Sequence, residues 1–421
     1  MTDDTMKVSE PGESATPRYL DAGPTNLKEY VGAYLQRVRS GQLGAVPIII
    51  GMLVIIIIFG LQEPIFFNQR NFVNLLLQMA GITTMAIGVV FVLLIGEIDL
   101  SIGFVSGVVG VTMTLLLRPG DPGFPWFLAI GIALIVAAAI GLLQGLIITK
   151  ANVPSFVVTL AGFLAWSGVV LIMTTQWSTA GTIIIQDSVA LGIANQFLPV
   201  VWGWIFFVGI VGGWTALQLF ARNSRRARGL PSKPLSVILI QLVALAAVLG
   251  LAIGYANAER GVPVVTVILA ALLLFWNFVA TKTRFGRHVY AVGGNAEAAR
   301  RAGIKVDSIR VRVFMISSFM AGVGGLILAS RLRSVDTSAG GGNLLLNAIA
   351  AAVIGGTSLF GGHGSVVSAL YGGIIIALVN NGMGLLGWPS GVKFVVTGLV
   401  LLAAVLVDSY SRRKQAVSGV S

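Results

Sequence analysis

Residues 71–95 read NFVNLLLQMAGITTMAIGVVFVLLI, a run of 25 residues that contains no charged side chain. About 20 mostly apolar residues are enough to cross a lipid bilayer as a helix. Similar runs recur along the whole 421-residue chain, which is 56% hydrophobic, 10% charged and has a mean hydropathy of +0.91. Soluble domains have about a quarter of their residues charged. The sequence therefore predicts an all-α polytopic membrane protein.

Following these runs gives about twelve transmembrane helices, an even number that places both termini on one side. The expected spans are residues 45–61, 71–95, 101–117, 125–149, 155–175, 198–220, 235–255, 262–281, 311–330, 344–358, 364–386 and 391–408. Together they form one transmembrane domain over residues 45–408, with tails at 1–44 and 409–421. Within the first tail, apolar residues at helical spacing predict an amphipathic helix at 26–40. This helix is suited either to the inner membrane surface or to packing on the protein itself.

The distribution of Lys and Arg residues indicates which side of the membrane is cytoplasmic. In this arrangement one side holds 22 of the 28 Lys and Arg residues, and the loops on the other side hold six. Cytoplasmic loops carry the excess of Lys and Arg, so both termini are expected in the cytoplasm. Because the basic residues are spread between apolar segments, the net charge of +12 does not indicate a nucleic-acid partner.

Two glycine-rich stretches interrupt the pattern, at residues 96–103 and 355–365. Neighbouring apolar runs are short there, which indicates broken or re-entrant segments. Such irregular backbone is tolerated at membrane depth only when it is buried in protein or faces water. The stretches IGEIDLSIG (95–103) and IGGTSLFGG (354–362) also resemble each other loosely, either as an internal repeat or by coincidence.

The longest polar segment between two spans covers residues 282–310. Within it, Asn295 is placed to cap a short helix over residues 296–302, which Gly303 ends. This helix would display Glu297, Arg300 and Arg301 to the cytoplasm. It is either a docking element for a partner or a solvated loop that carries positive-inside charge.

No residues for chemistry on bound substrates are apparent. The chain has no Gly-x-x-x-x-Gly-Lys-Ser/Thr phosphate loop, no His/Glu metal cluster, no nucleophile beside a base and no cysteine. It is also too short for a large soluble domain besides its spans. The chain is therefore expected to be no enzyme, to hold no metal or cofactor, and to depend on an energy source outside itself.

One long motif carries a family resemblance. Residues 283–304, TRFGRHVYAVGGNAEAARRAGI, resemble the signature loop of permease subunits in bacterial ribose, galactose, arabinose and xylose ABC importers. The stretches GEIDLSIG (96–103), VPSFVVTL (153–160), AAAVIGGTSLFGGHG (350–364) and NNG (380–382) are similar to the same family. The extra apolar pair at 198–257 resembles xylose-type members, which implies xylose or a related pentose as the cargo.

The resemblance implies the partners as well: a second permease copy, two cytoplasmic ATPase subunits that use ATP, and a periplasmic or extracellular sugar-binding protein. It implies a multi-pass location in the bacterial cytoplasmic membrane. Coupling to the ATPase would involve eight residues of the loop: Gly293, Gly294, Asn295, Glu297, Ala298, Arg300, Arg301 and Gly303. The family usually has a second glycine where Glu97 stands, so the resemblance implies no role for that acid.

Glu97 and Asp99 are the acids closest to membrane depth in the first half. Acids there cost free energy and usually face protein or water. They either line the pathway, bind a coupling cation, or accept structural hydrogen bonds in a broken segment. His363 is similarly either a proton relay or a structural residue of its glycine-rich loop.

A sugar pathway needs side chains that exchange hydrogen bonds with hydroxyl groups. The candidates are Asn74, Gln78, Thr159, Trp166, Asn347, Asn380 and Asn381. Each is alternatively a polar contact that holds membrane helices together. Two other functions remain open: a cation-coupled secondary transporter that uses Glu97 or Asp99, and an ABC permease for branched-chain amino acids.

Overall fold

The computed structural model describes residues 46–120 and 123–417, together with Glu29 and Gly32. Apart from these two positions, the expected tail at 1–44 with its amphipathic helix at 26–40 lies outside the described residues, as does the end of the second tail. Within the described part, the chain forms fifteen α-helices and one antiparallel pair of three-residue strands.

The helices are α1 (Val46–Gln62), α2 (Gln69–Leu94), α3 (Ile102–Leu116), α4 (Trp126–Lys150), α5 (Ser155–Trp177), α6 (Ser188–Asn195), α7 (Val200–Ala227), α8 (Leu235–Asn257), α9 (Val264–Lys282), α10 (Arg284–Gly294), α11 (Ala296–Arg301), α12 (Val306–Leu332), α13 (Leu344–Ile354), α14 (Val366–Leu385) and α15 (Ser390–Val417). Strand β1 (Thr182–Ile184) pairs with β2 (Ser334–Asp336). The short helix α6 and the two strands lie in stretches between the predicted spans, where the sequence predicted no helix or strand.

Among the described residues, eight helices are long and apolar enough to cross a membrane: α2, α4, α5, α7, α8, α9, α12 and α14. The prediction of a helical, polytopic membrane protein is confirmed. Shorter apolar helices occupy the other four predicted spans, namely α1, α3, α13 and the first part of α15. The count of twelve crossings stays a prediction. Helix α15 continues beyond 408 into residues that were expected to be tail.

Helices α2 and α12 form the centre of the bundle, and most of their residues are buried. Small residues let a neighbouring backbone approach them. Ala129, Ala133, Ala137 and Gly141 recur every fourth residue on the buried face of α4. A β-carbon on Gly141 would lie 2.5 Å from the carbonyl oxygen of Phe314 on α12. This small-residue packing is typical of membrane helices, which have no hydrophobic effect to drive their association.

The two ends of the bundle are named here after residues of α2. At the Asn71 end, Asn71 is hydrogen-bonded to Asn381 near the end of α14, and Tyr255 near the end of α8 donates to the carbonyl of Phe67. At the Leu94 end, the backbone N–H of Gly362 donates to the carbonyl of Leu94 at 2.9 Å. Helix α2 therefore begins at the Asn71 end, whereas α8 and α14 end there.

The predicted interruptions at 96–103 and 355–365 are confirmed as breaks between helices: residues 95–101 separate α2 from α3, and 355–365 separate α13 from α14. The predicted span at 344–358 is wrong in extent. Helix α13 has 11 residues, a length of about 16 Å against the roughly 30 Å of a hydrocarbon core. It ends where the apolar run meets Gly355 and Gly356, and Gly356 has a φ of 101°.

The segment before α13 is also non-helical, and it packs against α3 through backbone contact. A β-carbon on Gly107 would lie 2.1 Å from the carbonyl oxygen of Ala339. Glycine is required at 107 because any side chain there would force the backbones apart.

We therefore expect Gly107→Ala to lower the thermal unfolding midpoint of the purified protein, because overpacking costs about 1–3 kcal/mol. The matched control is Gly131→Ala on α4, where a new β-carbon meets nothing within 4 Å. Alanine in an open helical position is neutral or stabilising. Equal midpoints for the two variants in detergent would contradict the packing of residues 337–341 on α3.

Candidate functional site

Helix α11 forms where the sequence predicts a short helix. In the structure it lies at the Leu94 end. The Asn295 side chain accepts a hydrogen bond from the backbone N–H of Ala298 at 2.9 Å. The helix ends at Arg301, one residue before the predicted end, and Gly303 follows with a φ of 85°. Both local signals in the sequence, the cap and the stop, are confirmed.

The charges of α11 lie on the surface. Glu297 pairs with Arg300 at 3.1 Å and with Arg301 at 3.2 Å, and all three side chains are more than half exposed. Exposed ion pairs of this kind contribute little to stability. The same charges are therefore available for contact with a partner, as is the exposed Ala298.

A second helix, α10, precedes α11. The sequence did not predict this helix. Helix α10 begins after Thr283, whose hydroxyl accepts a hydrogen bond from the N–H of Gly286 at 3.2 Å. Its buried face carries Val289 and Val292, which are three residues apart. That spacing is helical, but it lies in a segment rich in Arg and Gly, where the charges favoured a loop.

Tyr290 fixes α10 to the loop at 355–365. Its hydroxyl donates to the carbonyl oxygen of Gly364 at 2.9 Å. Burial raises the pKa of the Tyr290 phenol, so the group stays neutral and keeps the proton that it donates.

The two interrupted stretches meet at the end of α10. A β-carbon on Gly293 would lie 1.7 Å from the carbonyl oxygen of Leu94 and 2.8 Å from the nitrogen of Gly362. A β-carbon on Gly361 would lie 3.0 Å from the nitrogen of Gly96. Three backbone segments thus touch without side chains between them, whereas the neighbouring Gly294 has nothing within 4 Å of its β position.

The acidic pair is held by partners inside the protein. Asp99 is buried and accepts hydrogen bonds from the Ser101 N–H at 3.0 Å, the Ser101 hydroxyl at 2.7 Å and the Ser317 hydroxyl at 2.8 Å. Glu97 pairs with Arg310 at 3.0 Å. The hydrogen bonds of Asp99 agree with a structural role. Glu97 has a charged partner that the sequence did not indicate.

The described residues contain no group of three His, Cys, Asp or Glu side chains placed to hold a metal ion. His363 lies in the loop that follows α13, where its backbone carbonyl accepts a hydrogen bond from the Ser358 N–H at 2.9 Å.

Four of the seven predicted pathway residues share one pocket at the Asn71 end. This pocket, of about 250 Å³, lies between α2 and α14 and is lined by Asn71, Asn74, Gln78, Asn380, Asn381, Gly384 and Leu385. Five of these side chains are carboxamides and none is charged. Each carboxamide offers both a donor and an acceptor, so the pocket is chemically suited to a neutral ligand with several hydroxyl groups.

The floor of the pocket is a pair of buried amides. Asn71 donates to the Asn381 side-chain oxygen at 2.9 Å, and Asn381 donates to the Asn71 oxygen at 2.8 Å. Asn71 was not among the predicted residues. Its position at i in the series Asn71, Asn74 and Gln78, spaced i, i+3 and i+7 on one helical face, is a signal that would have found it.

The other three predicted pathway residues lie elsewhere. Thr159 is buried on α5 and donates to backbone carbonyls, among them that of Ser155 at 2.9 Å. The indole nitrogen of Trp166, also on α5, is buried without a hydrogen-bond partner, and so is the side-chain oxygen of Asn347 on α13. The structure therefore does not bring these three residues to the amide pocket.

Comparison with known proteins gives consistent matches. A family model described as "Branched-chain amino acid transport system / permease component" matches residues 71–405. The Xylose transport system permease protein XylH of Escherichia coli (strain K12) is 41% identical over 359 residues, which cover 83% of this chain and 87% of the relative.

Two further relatives have similar coverage. The XylH protein of Haemophilus influenzae is 35% identical over 381 residues, which cover 90% of this chain and 99% of the relative. The Ribose import permease protein RbsC of Bacillus subtilis (strain 168) is 32% identical over 368 residues, which cover 87% of this chain and 92% of the relative. No solved structure matches the chain.

The close contact between Gly293 and the backbone at Leu94 can be tested by substitution. We expect Gly293→Ala to lower the unfolding midpoint and to separate α10 from the two loops, because its β-carbon would meet the backbone at Leu94. Gly294→Ala is the matched control, one residue along the chain and in open space. Thermal unfolding and limited proteolysis of both purified variants check the expectation. Equal protease resistance of the two would contradict the close contact.

Proposed function

The chain belongs to the family described as the branched-chain amino acid transport system / permease component, and from that premise we propose a specific role. It is the transmembrane permease subunit of an ATP-binding-cassette importer that moves a monosaccharide, xylose or another pentose, into the cytoplasm. The cargo is supported by relatives named for xylose and ribose transport. The resemblance of residues 198–257 to xylose-type members agrees with this cargo.

The observation that carries the proposal is the amide pocket. Its lining is uncharged and offers carboxamides on two facing helices. Sugar hydroxyls can both give and receive hydrogen bonds with such groups. An amino acid also brings an ammonium group, for which the lining offers no carboxylate, and burying a charge without a partner of opposite charge is costly. The pocket therefore favours a sugar over a branched-chain amino acid.

One cation lies near the pocket and allows the two cargoes to be separated. The Lys393 ammonium is 3.9 Å from the position that a β-carbon on Gly384 would take, and Gly384 lines the pocket. An amino-acid carboxylate would need this charge, whereas a neutral sugar would not.

Partners follow from the two ends of the bundle. At the Leu94 end, α11 displays Glu297, Arg300 and Arg301, a surface suited to an ATPase subunit that supplies the energy. At the Asn71 end, the pocket would receive sugar from a binding protein outside the membrane. Asn74 lines the pocket and is exposed on its membrane helix, so a second copy of the permease would close the pocket on that side.

We further propose that the Leu94 end faces the cytoplasm and that the chain crosses the bacterial inner membrane twelve times. Because Tyr255 lies at the Asn71 end, the opposite end of α8 and the adjoining basic residues at 222–233 belong at the Leu94 end. The eight basic residues between 282 and 312 are joined to α10 and α11 there as well. Positive-inside charge then supports a cytoplasmic location for both termini.

The orientation is tested by labelling, since the chain has no native cysteine. Ala227→Cys places a thiol at the end of α7, and Ala258→Cys places one just after α8. Both native side chains are exposed. In right-side-out vesicles, an impermeant maleimide should label Ala258→Cys and should reach Ala227→Cys only after permeabilisation. Labelling in the reverse order would overturn the proposed topology.

The cargo is tested by uptake of labelled xylose and labelled leucine into cells that also make the ATPase and the binding protein. We expect xylose uptake alone. Asn74→Ala and Asn380→Ala should each lower it about tenfold, because a lost hydrogen bond in the transport state is worth about 1 to 1.5 kcal/mol. Lys393→Gln at equal expression should leave it unchanged. If the cells instead take up leucine, and Lys393→Gln abolishes that uptake, the cargo is an amino acid and not a sugar.

A further inference from the structure

We propose that Glu97 and Asp99 tie the loop at residues 95–101 to α12, and that this two-point tie passes the motion of α11 to the start of α3. The inference rests on the proposed ATP-driven import. It assigns positioning roles to Glu97, Arg310, Asp99 and Ser317, which lie outside the amide pocket and outside the exposed face of α11.

The first point of the tie is an ion pair. The Glu97 carboxylate lies 3.0 Å from the Arg310 guanidinium, and the two side chains are only 15% and 28% exposed. Salt and water screen such a pair less than the ion pairs on the surface of α11. It therefore holds the loop to α12 more firmly than an exposed pair would.

The second point is a buried hydrogen bond seven residues further along α12. The Ser317 hydroxyl donates to Asp99 at 2.8 Å. Residues seven apart on a helix lie on the same face, two turns from each other. Arg310 and Ser317 thus hold alternate residues of the loop, and two separated points prevent the loop from pivoting about either one.

The two contacts lie between α11 on the surface and the start of α3 in the interior. Toward the surface, Arg300 of α11 approaches Asp307 in the first turn of α12 at 4.0 Å, and α12 continues as one unbroken helix of 27 residues. Toward the interior, Ser101 immediately precedes α3, and the Gln144 amide of α4 donates to its hydroxyl at 2.9 Å. A displacement of α11 and α12 would therefore carry the beginning of α3 with it.

A charge exchange tests the first point. The permease is reconstituted with its ATPase and binding protein in liposomes, and the sugar molecules moved per ATP hydrolysed are counted. Glu97→Arg and Arg310→Glu should each lower this ratio about tenfold, and the double variant should recover at least half of the wild-type ratio. The control is Arg312→Glu, which changes a neighbouring charge on α12 that forms no ion pair with any of the described residues, and it should keep the ratio.

The second point is tested by two changes of Asp99. Asp99→Asn should keep the ratio, because an amide can still exchange hydrogen bonds with Ser101 and Ser317. Asp99→Ala should lower it. A merely structural role would reduce the amount of folded complex without changing the sugar moved per ATP.

A distance measurement gives a readout that needs no transport. Spin labels on Ile98→Cys and Ser308→Cys of one permease copy, assembled with an unlabelled second copy, should show one narrow distance distribution in the complex, with and without ATP. Glu97→Arg should broaden it, and the charge exchange should narrow it again. Single variants that keep both the ratio and the narrow distribution would overturn the tie, as would an exchange that restores neither. A wild-type complex that moves no sugar would instead contradict the proposed function, and the distances would still decide the tie.

Discussion

Every backbone N–H and C=O group within a bilayer must find its partner in the protein, because hydrocarbon offers none. This constraint makes the chain helical wherever it is apolar, and it determines what happens where the helices break. The loop after α2 turns back on its own helix, with the Glu97 N–H bonded to the Val92 carbonyl at 3.1 Å. The loop after α13 is satisfied in part by α2, through Gly362 and Leu94. The first interruption is therefore satisfied in part by its own helix, and the second in part by a neighbouring helix.

The functional features lie at the places where this constraint concentrates polar groups. Non-helical backbone at the Leu94 end brings the loops and α10 into contact, so the helices that would meet an ATPase are joined to both breaks. At the Asn71 end, helices α2 and α14 face each other with carboxamides, and a reciprocal pair between Asn71 and Asn381 leaves Asn74, Gln78 and Asn380 for a ligand. Between the ends, α2 and α12 form the buried centre of the bundle.

The sequence predicts the positions of the apolar helices well, because the length and hydropathy of a run dictate whether it suits a membrane. It also predicts α11, since Asn295 and Gly303 act through local backbone geometry. It does not predict α10, whose apolar face is hidden among charges, or the true length of α13. Residue type alone also does not predict that Thr159, Trp166 and Asn347 lie away from the amide pocket, because which face of a helix meets a pocket depends on tertiary packing. The partner of Glu97 is equally invisible in sequence, since Arg310 lies more than two hundred positions away.

In the proposed function, this chain supplies the sugar pathway and a separate ATPase supplies the energy. The most direct measurement is xylose uptake by liposomes that contain the purified chain alone under a proton or sodium gradient, compared with liposomes that also contain the ATPase, the binding protein and ATP. We expect no uptake in the first case and concentrative, ATP-dependent uptake in the second. Gradient-driven uptake by the chain alone would overturn the proposed function and would establish a secondary transporter.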